Sequence, residues 1–328
     1  MSLPLVSVLI TVYNDREHIL TSVESILNQR YTNFEIIIVD DGSTDGTSDI
    51  LRNLVSREER VKVLSKENGG TASAANLGLS MCNGKYIARL DSDDYSYDHR
   101  LSTQVEFLEK HPDVDLVGGG CHIIDKDGKI IGSRNIFTSN PKKTLQNRCI
   151  YQQSDVMFRK SVLGKLPPGE VYRTKLRAED YDLWLRISEV GNVAKINTIL
   201  GAWRLNTGGY TLSRKEEQLE AVNVLKKMAD LRRRGLPDEY ELFQPLVSTK
   251  KHRAIIPQVE YDIVVSQVLL KEGRTEEAKK ILLPHKKSSS DWNLAKKWYR
   301  IASIPGPILK LLFSVREWIL NHSSIELR

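Results

Sequence analysis

Two acidic clusters stand where the chain turns from apolar to polar. Asp91-Ser92-Asp93-Asp94 directly follows Tyr86-Ile87-Ala88-Arg89-Leu90, and Glu179-Asp180 opens the run Tyr181-Asp182-Leu183-Trp184. One or two carboxylates plus phosphate oxygens are a common shell for hard cations such as Mg²⁺ or Mn²⁺. A cation held that way is a Lewis acid for a departing diphosphate. A separate carboxylate within reach of a hydroxyl can take its proton as the hydroxyl attacks. Asp91 and Asp93 are therefore the candidate metal carboxylates, and if strand geometry persists they point to opposite sides, so that one can take the cation while the other faces a ribose; Asp180 is the candidate base. Each motif alone has a plainer explanation: Asp is a good helix N-cap, and the helix dipole favours acids in a first turn.

Three further segments could hold a nucleotide. An Asp of Asp40-Asp41-Gly42-Ser43, at the carboxyl end of a strand, could accept from the imide N–H of uracil or thymine, or could simply build an Asx turn. Tyr13 could stack on a base or sit as an aromatic at the core rim. Asn68-Gly69-Gly70 would let backbone approach a ligand closely, or serve as a flexible turn.

The elements that position these residues alternate in type. Nearly continuous apolar runs at residues 6–12, 36–39, 61–64 and 86–90 read as buried parallel strands. Amphipathic stretches at 19–27, 47–55 and 72–81 lie between them. This alternation predicts an open α/β sheet with right-handed crossovers and ligands beyond the carboxyl ends of the strands. Thr11 to Asn14, Asp40 to Ser43, Glu67 to Gly70 and Asp91 to Asp94 all fall at those ends. After Pro112, a strand at 116–124 is expected to turn at Asp127-Gly128 into 129–132. Helices are expected at 179–190, 215–234, 260–271 and 275–283. The last two form a hairpin like one tetratricopeptide unit, but no repeat follows.

Taken together and in order, these segments resemble the inverting glycosyltransferases of family 2, which have the GT-A fold. The residues carrying the resemblance are 6–14, Ser25-Ile26-Leu27-Asn28-Gln29, 35–47, Asn76-Leu77-Gly78-Leu79, Asp91-Ser92-Asp93-Asp94 and 178–186, so it covers roughly residues 5–210. The resemblance implies an open mixed sheet flanked by helices, with a C-terminal helical extension. It implies that Thr11, Tyr13 and Asp41 hold the nucleoside of a sugar nucleotide. Asn68, Gly70, Asp91 and Ser92 complete the donor site, and Asp91 and Asp93 bind Mn²⁺ or Mg²⁺. Asp180 is implied as the base of an inverting transfer. Many relatives carry a metal-binding His where this chain has Asn206, a weaker ligand. No Gln-x-x-Arg-Trp run follows and no transmembrane helices frame the domain, so addition of a single sugar is expected. The nucleotide expected is UDP, and the acceptor a glycan or lipid-linked hydroxyl in cell-surface polysaccharide or glycolipid synthesis.

Composition bounds the remaining choices. At 328 residues, 40% hydrophobic and 27% charged, the chain can bury a large core. Cys82, Cys121 and Cys149 are odd in number and lack metal-ligand spacing, which suits a reducing compartment. The apolar run at 3–13 has neither a basic lead nor a cleavage site and reads as a strand. No apolar stretch reaches the ~20 residues of a membrane span.

Residues 285–328 hold eight Lys/Arg against three Asp/Glu, most of the chain's net +6. The near-neutral remainder argues against a nucleic-acid partner. Trp292, Trp298 and Trp318 lie in the same basic segment. On a helical wheel, Ile308, Leu311, Leu312, Val315 and Ile319 oppose Lys310, Ser314 and Glu317. That pattern suits peripheral contact with the cytoplasmic face of an anionic membrane, or an interface in a homodimer. The expected division is a catalytic domain at 1–213, a helical appendage at 214–284 and a basic tail at 285–328. The alternatives are a nucleotidyltransferase, disfavoured because Thr11 to Arg16 has no glycine to cradle a triphosphate, and a catalytically silent scaffold.

Overall fold

The computed structural model describes residues 3–205, 215–238, 240 and 258–322. These fall into two compact units.

The first unit is built on a sheet. Its strands β1 (Val6–Val12), β2 (Phe34–Asp40), β3 (Val61–Ser65) and β4 (Tyr86–Asp91) are parallel neighbours in the order β3-β2-β1-β4. The crossovers carry α1 (Ile19–Leu27), α2 (Thr47–Val55) and α3 (Thr71–Met81). Side chains alternate across the strands, so each face collects its own core. Val6, Val8, Ile10, Ile36 and Ile38 pack with Ile19, Val23 and Ile26 of α1. Leu9, Ile37 and Val39 pack on the opposite face with Ala72, Ala75 and Leu79 of α3. Both faces are covered, which explains why these strands read as unbroken apolar runs rather than alternating ones. Helix α3 lies close to β1 because Gly78 has no side chain: a Cβ there would stand 2.3 Å from Leu9 Cδ1.

Beyond β4 the sheet turns mixed. It is extended by β5 (Tyr95–Ser96), β6 (Val114–Ile124), β8 (Val156–Arg159) and β9 (Asn192–Arg204), in the order β4-β8-β6-β9-β5. Strand β8 runs antiparallel to both β4 and β6. Helices α4 (Arg100–Lys110), α5 (Pro141–Asn147), α6 (Glu179–Val190) and α7 (Lys215–Arg233) complete the unit.

The second unit joins residues 122–133, which hold the last residues of β6 and most of β7 (Ile130–Arg134), to α8 (Gln258–Lys271), α9 (Thr275–Leu282), α10 (Ser289–Ile301) and α11 (Gly306–His322). Arg274 Nη1 donates to the Ile130 carbonyl at 3.0 Å, and Lys129 pairs with Glu277 at 2.9 Å.

This division differs from the expected one at 213/214 and 284/285. Leu225, Met228 and Ala229 of α7 share a core with Leu183, Trp184 and Ile187 of α6, so α7 belongs to the sheet unit. In the second unit, Trp292 and Trp298 pack against a small core of Val259, Leu282 and Ala295. Those two rings are thus part of a helical core rather than a free aromatic face.

Candidate functional site

The parallel register brings three candidate segments level. Thr11 pairs with Asp91 of β4 on one side and Val39 of β2 on the other, while Val12 pairs with Asp40. Thr11 is buried, and Tyr13, two residues on, is 52% exposed rather than packed in the core. The loops after β1 and β2 are stitched together. Asn14, at φ 52°, donates its N–H to Ser43 Oγ at 2.9 Å, and its side-chain oxygen accepts from Thr44 N–H at 2.7 Å.

Asp41 organises the loop that precedes α3. Its carboxylate accepts from Lys66 Nζ at 2.9 Å, Gly69 N–H at 3.0 Å and Gly70 N–H at 2.7 Å. Asn68 Nδ2 donates to the Asp41 carbonyl at 3.0 Å. A carboxylate has about four acceptor positions, so these three bonds use most of its capacity. Gly70 stands at φ 86° and ψ 163°, a region that demands glycine, and space beside it is open. Gly42, at φ 81°, allows the close approach of Asn68 N, which a Cβ would meet at 3.0 Å.

The Asp91–Asp94 loop is held from both sides. Asp91 N–H donates to Ser154 Oγ at 3.0 Å, and its Oδ1 accepts from Gln153 Nε2 at 2.5 Å. Ser154 also donates to buried Asp94. On the other side, Ser92 Oγ donates to Asp15 Oδ2 at 2.6 Å, and Asp15 Oδ1 contacts His18 Nδ1 at 2.8 Å. The Asp93 carboxyl is pushed up to about 7, first by burial, then by the charges of Asp91 and Asp15. A crowded set of hard oxygen donors of this kind is one that a divalent cation neutralises. Among the described residues no three His, Cys, Asp or Glu side chains gather as a metal site. Asn206 lies outside the described residues.

Asp180 lies in the first turn of α6 and accepts its neighbour Tyr181's N–H at 2.7 Å. Its carboxyl is raised by burial above all, and the Asp91 charge pushes it the same way. The Glu179 carboxyl is pushed up to about 7 by burial, then by Asp180 and Asp91. The two acidic regions, far apart in the chain, therefore feel one another's charge through Asp91. The residue before them, Ala178, has φ 55°. Among the described residues, Asn14 and Ala178 are the non-glycine positions with positive φ, and both adjoin candidate site residues.

Several residues around these carboxylates escaped sequence reasoning. Gln153 and Ser154 precede β8, and antiparallel pairing with β4 delivers them to the carboxyl end of that strand. Their polar run was the available signal, but its pairing partner could not be read. Arg89 sits two residues before Asp91, fully buried, donating to the Leu9 carbonyl at 3.1 Å and reaching Thr11 Oγ1 at 3.5 Å. Asp15 and His18 follow β1 directly and read only as part of a loop and a helix start.

A doubly wound sheet turning mixed after an acidic loop is the GT-A fold of nucleotide-sugar transferases. Among solved structures, the mannosyltransferase PcManGT of Pyrobaculum calidifontis, in complex with GDP-Man and Mn²⁺, matches with a TM-score of 0.56 at 17% identity, over 98% of this chain and 87% of that one. S. aureus TarS, residues 1–349, matches with a TM-score of 0.52 at 17% identity, over 90% of each chain. In sequence, residues 7–166 match glycosyl transferase family 2. EpsE of Bacillus subtilis (strain 168), whose name carries a provisional glycosyltransferase assignment, is 33% identical over 275 residues, spanning 82% of this chain and 97% of EpsE. WfaP of Escherichia coli, named as a UDP-Glc:alpha-D-GlcNAc-diphosphoundecaprenol beta-1,3-glucosyltransferase, is 32% identical over 68% of this chain and 86% of its own length. The chain belongs to glycosyl transferase family 2. That membership decides against the nucleotidyltransferase alternative.

Proposed function

We propose that this glycosyltransferase moves a single sugar from a UDP-sugar to a hydroxyl of a glycan or lipid-linked acceptor, with inversion, in polysaccharide or glycolipid synthesis. Thr11, Tyr13 and Asp41 would bind the nucleoside, with Asn68, Gly70 and Ser92 completing the donor pocket. Asp91 and Asp93 would hold the diphosphate through Mn²⁺ or Mg²⁺, which supplies charge neutralisation to the leaving group. Asp180 would take the acceptor proton, and negative charge beside the anomeric carbon would favour an oxocarbenium-like transition state. The observation that carries this reading is the register that sets Thr11 beside Asp91 and Val12 beside Asp40 at the carboxyl ends of adjacent parallel strands. The UDP-Glc and diphosphoundecaprenol in the name of WfaP support the donor and the lipid-linked acceptor. The Mn²⁺ bound by PcManGT supports the cation. The decisive measurement is a thermal-shift comparison of UDP-glucose, UDP-GlcNAc and GDP-mannose with and without Mn²⁺. Stabilisation by a UDP-sugar that requires Mn²⁺ is the expected result; no stabilisation by any donor would refute the reading.

The same proposal extends to peripheral membrane contact. In α11, Leu309 is buried, whereas Ile308, Leu311 and Leu312 are 53%, 63% and 55% exposed. Val315 and Ile319, the rest of the expected apolar face, and Trp318 lie beyond the described side chains. Exposed leucines in a basic segment match an anionic bilayer in both polarity and charge. A second copy of the chain would satisfy the leucines but not the excess of positive charge. No helix among the described residues is long and apolar enough to cross a membrane.

A further inference from the structure

The turn that delivers Asp180 is strained and must be held. A non-glycine residue at the φ of 55° found at Ala178 persists only where its surroundings over-determine it. One restraint comes from α3, where Asn76 Nδ2 donates to the Tyr172 carbonyl at 2.7 Å and its Oδ1 accepts from Tyr172 N–H at 2.8 Å. The other comes from chain well beyond residue 166, the end of the family match. There three guanidinium groups (Arg173, Arg186, Arg232) meet three carboxylates (Asp182, Glu189, Asp238).

The bonding in this cluster has a direction. Arg232 grips Glu189 near the end of α6 through Nε at 2.7 Å and Nη2 at 3.0 Å. Its Nη1 donates to Asp238 at 2.8 Å, and Arg173 Nη1 donates to the same Asp238 oxygen at 2.6 Å. Asp238 thus ties the approach to the Ala178 turn to the helix that follows it. Tyr240 adds to the hold: its hydroxyl donates to Glu170 at 2.6 Å, and Arg173 lies 4.5 Å over its ring. Asp182, two residues after Asp180, is fully buried and accepts from Arg186 Nε at 2.8 Å. Its other oxygen has no hydrogen-bond partner and faces Arg173 and Arg232 at 3.7 and 3.9 Å. The start of α6 is therefore held partly by charge alone, from two guanidinium groups whose places Asp238 sets.

We propose that Asp238, through Arg173 and Arg232, is a positioning residue that fixes the Ala178 turn and so the aim of Asp180. The inference rests on Asp180 being the base. A mere glue between α6 and α7 would need only the Arg232–Glu189 pair; the second arm, onto the loop before Ala178, is what a positioning role requires.

The test uses the full chain, with release of UDP from whichever of UDP-glucose or UDP-GlcNAc it turns over. Asp238→Asn should lower the rate at saturating donor by about 10- to 100-fold, as misplacement of a reacting group does. Donor KM and stabilisation by UDP with Mn²⁺ should stay within about two-fold, because donor binding does not use the turn. Asp238→Glu should recover part of the rate. An unchanged rate in Asp238→Asn, or a rate and UDP affinity that fall in the same proportion, overturns the proposal. Should that variant fail to fold, Arg232→Lys, which keeps the charge but loses the two-pronged grip, is read by the same criteria. Asp180→Asn, assayed alongside, separates the two assignments. Full transfer there overturns the base assignment. Loss of transfer there with a normal rate in Asp238→Asn overturns the positioning role alone.

Discussion

The two acidic regions of the sheet unit are built in opposite ways. The Asp91–Asp94 loop continues a strand and is held by the neutral side chains of Gln153, which donates to Asp91, and Ser154, which accepts from Asp91 N–H and donates to Asp94, while its own Ser92 donates to Asp15. The Glu179–Asp180 turn begins a helix at a strained residue and is held by an ionic cluster. The contrast teaches a division of labour. A loop on a rigid strand suits a binding task that must be ready before any ligand arrives. A turn held under strain by charges suits a group whose aim matters only when the acceptor attacks. On this view changes at the first region alter donor affinity, and changes at the second alter turnover.

The sharpest break of that contrast is Asp180→Asn. Transfer should fall by about 10²- to 10⁴-fold, the usual contribution of a general base, while UDP and Mn²⁺ still raise the melting temperature. Equal loss of both would dissolve the division.

Asp93→Ala should weaken UDP binding by about ten-fold or more in the presence of Mn²⁺ and little in its absence, read by calorimetric titration. A loss independent of metal would move Asp93 out of the cation site.

Gly70→Ala tests the binding side without touching a charge. The φ of 86° at this position should cost about 1–3 kcal/mol in denaturant unfolding and raise donor KM, leaving the saturated rate near normal.

pH gives a fourth separation. With the Asp180 carboxyl raised by burial and by the Asp91 charge, the base takes up its proton at a higher pH than an ordinary aspartate, so the transfer rate should fall on the acid side sooner than it would for an unperturbed carboxylate. For stability the sign is opposite. A carboxyl raised on folding favours the folded chain while protonated, so the Glu179 contribution is lost as pH rises from about 4.5 through about 7. Melting temperature of the metal-free chain should decline over that window, and Glu179→Gln should flatten the decline.

The smallest effect on the fold is expected far from both regions. Leu311→Gln with Leu312→Gln should leave melting within about 0.5 kcal/mol of wild type, because both side chains are exposed. Co-sedimentation with phosphatidylglycerol vesicles should nevertheless drop. Unchanged sedimentation with a shift from dimer to monomer would replace the membrane by a second copy of the chain.

What could be read from sequence, and what could not, follows the same line through the sheet. Strands β1 to β4 are visible as apolar runs because each is buried on both faces, and their ends mark Thr11, Asp41 and Asp91 without reference to anything distant. Helix α6 is visible from its apolar spacing and its acidic start. Strand β8, only four residues long, is not visible, and neither are the two-residue β5 or the long β9. A short strand has too little pattern of its own, and its place between β4 and β6 is decided by partners tens of residues away. Gln153 and Ser154 ride on that placement. Residues 215–240 looked like an appendage because a charged helix reads as a solvated one, whereas Arg232 and Asp238 spend their charges inward on Arg173 and Glu189.

Sequence by itself therefore determined the local facts: which segments are strands, which glycines permit the tight turns, and which carboxylates stand at strand and helix ends. Those depend on neighbours within a few residues, through side-chain spacing and backbone freedom. Only the tertiary structure decided which carboxylates feel one another's charge and which arginines hold them. Coulomb forces and hydrogen bonds act across space, and the chain order does not encode the distances over which they act.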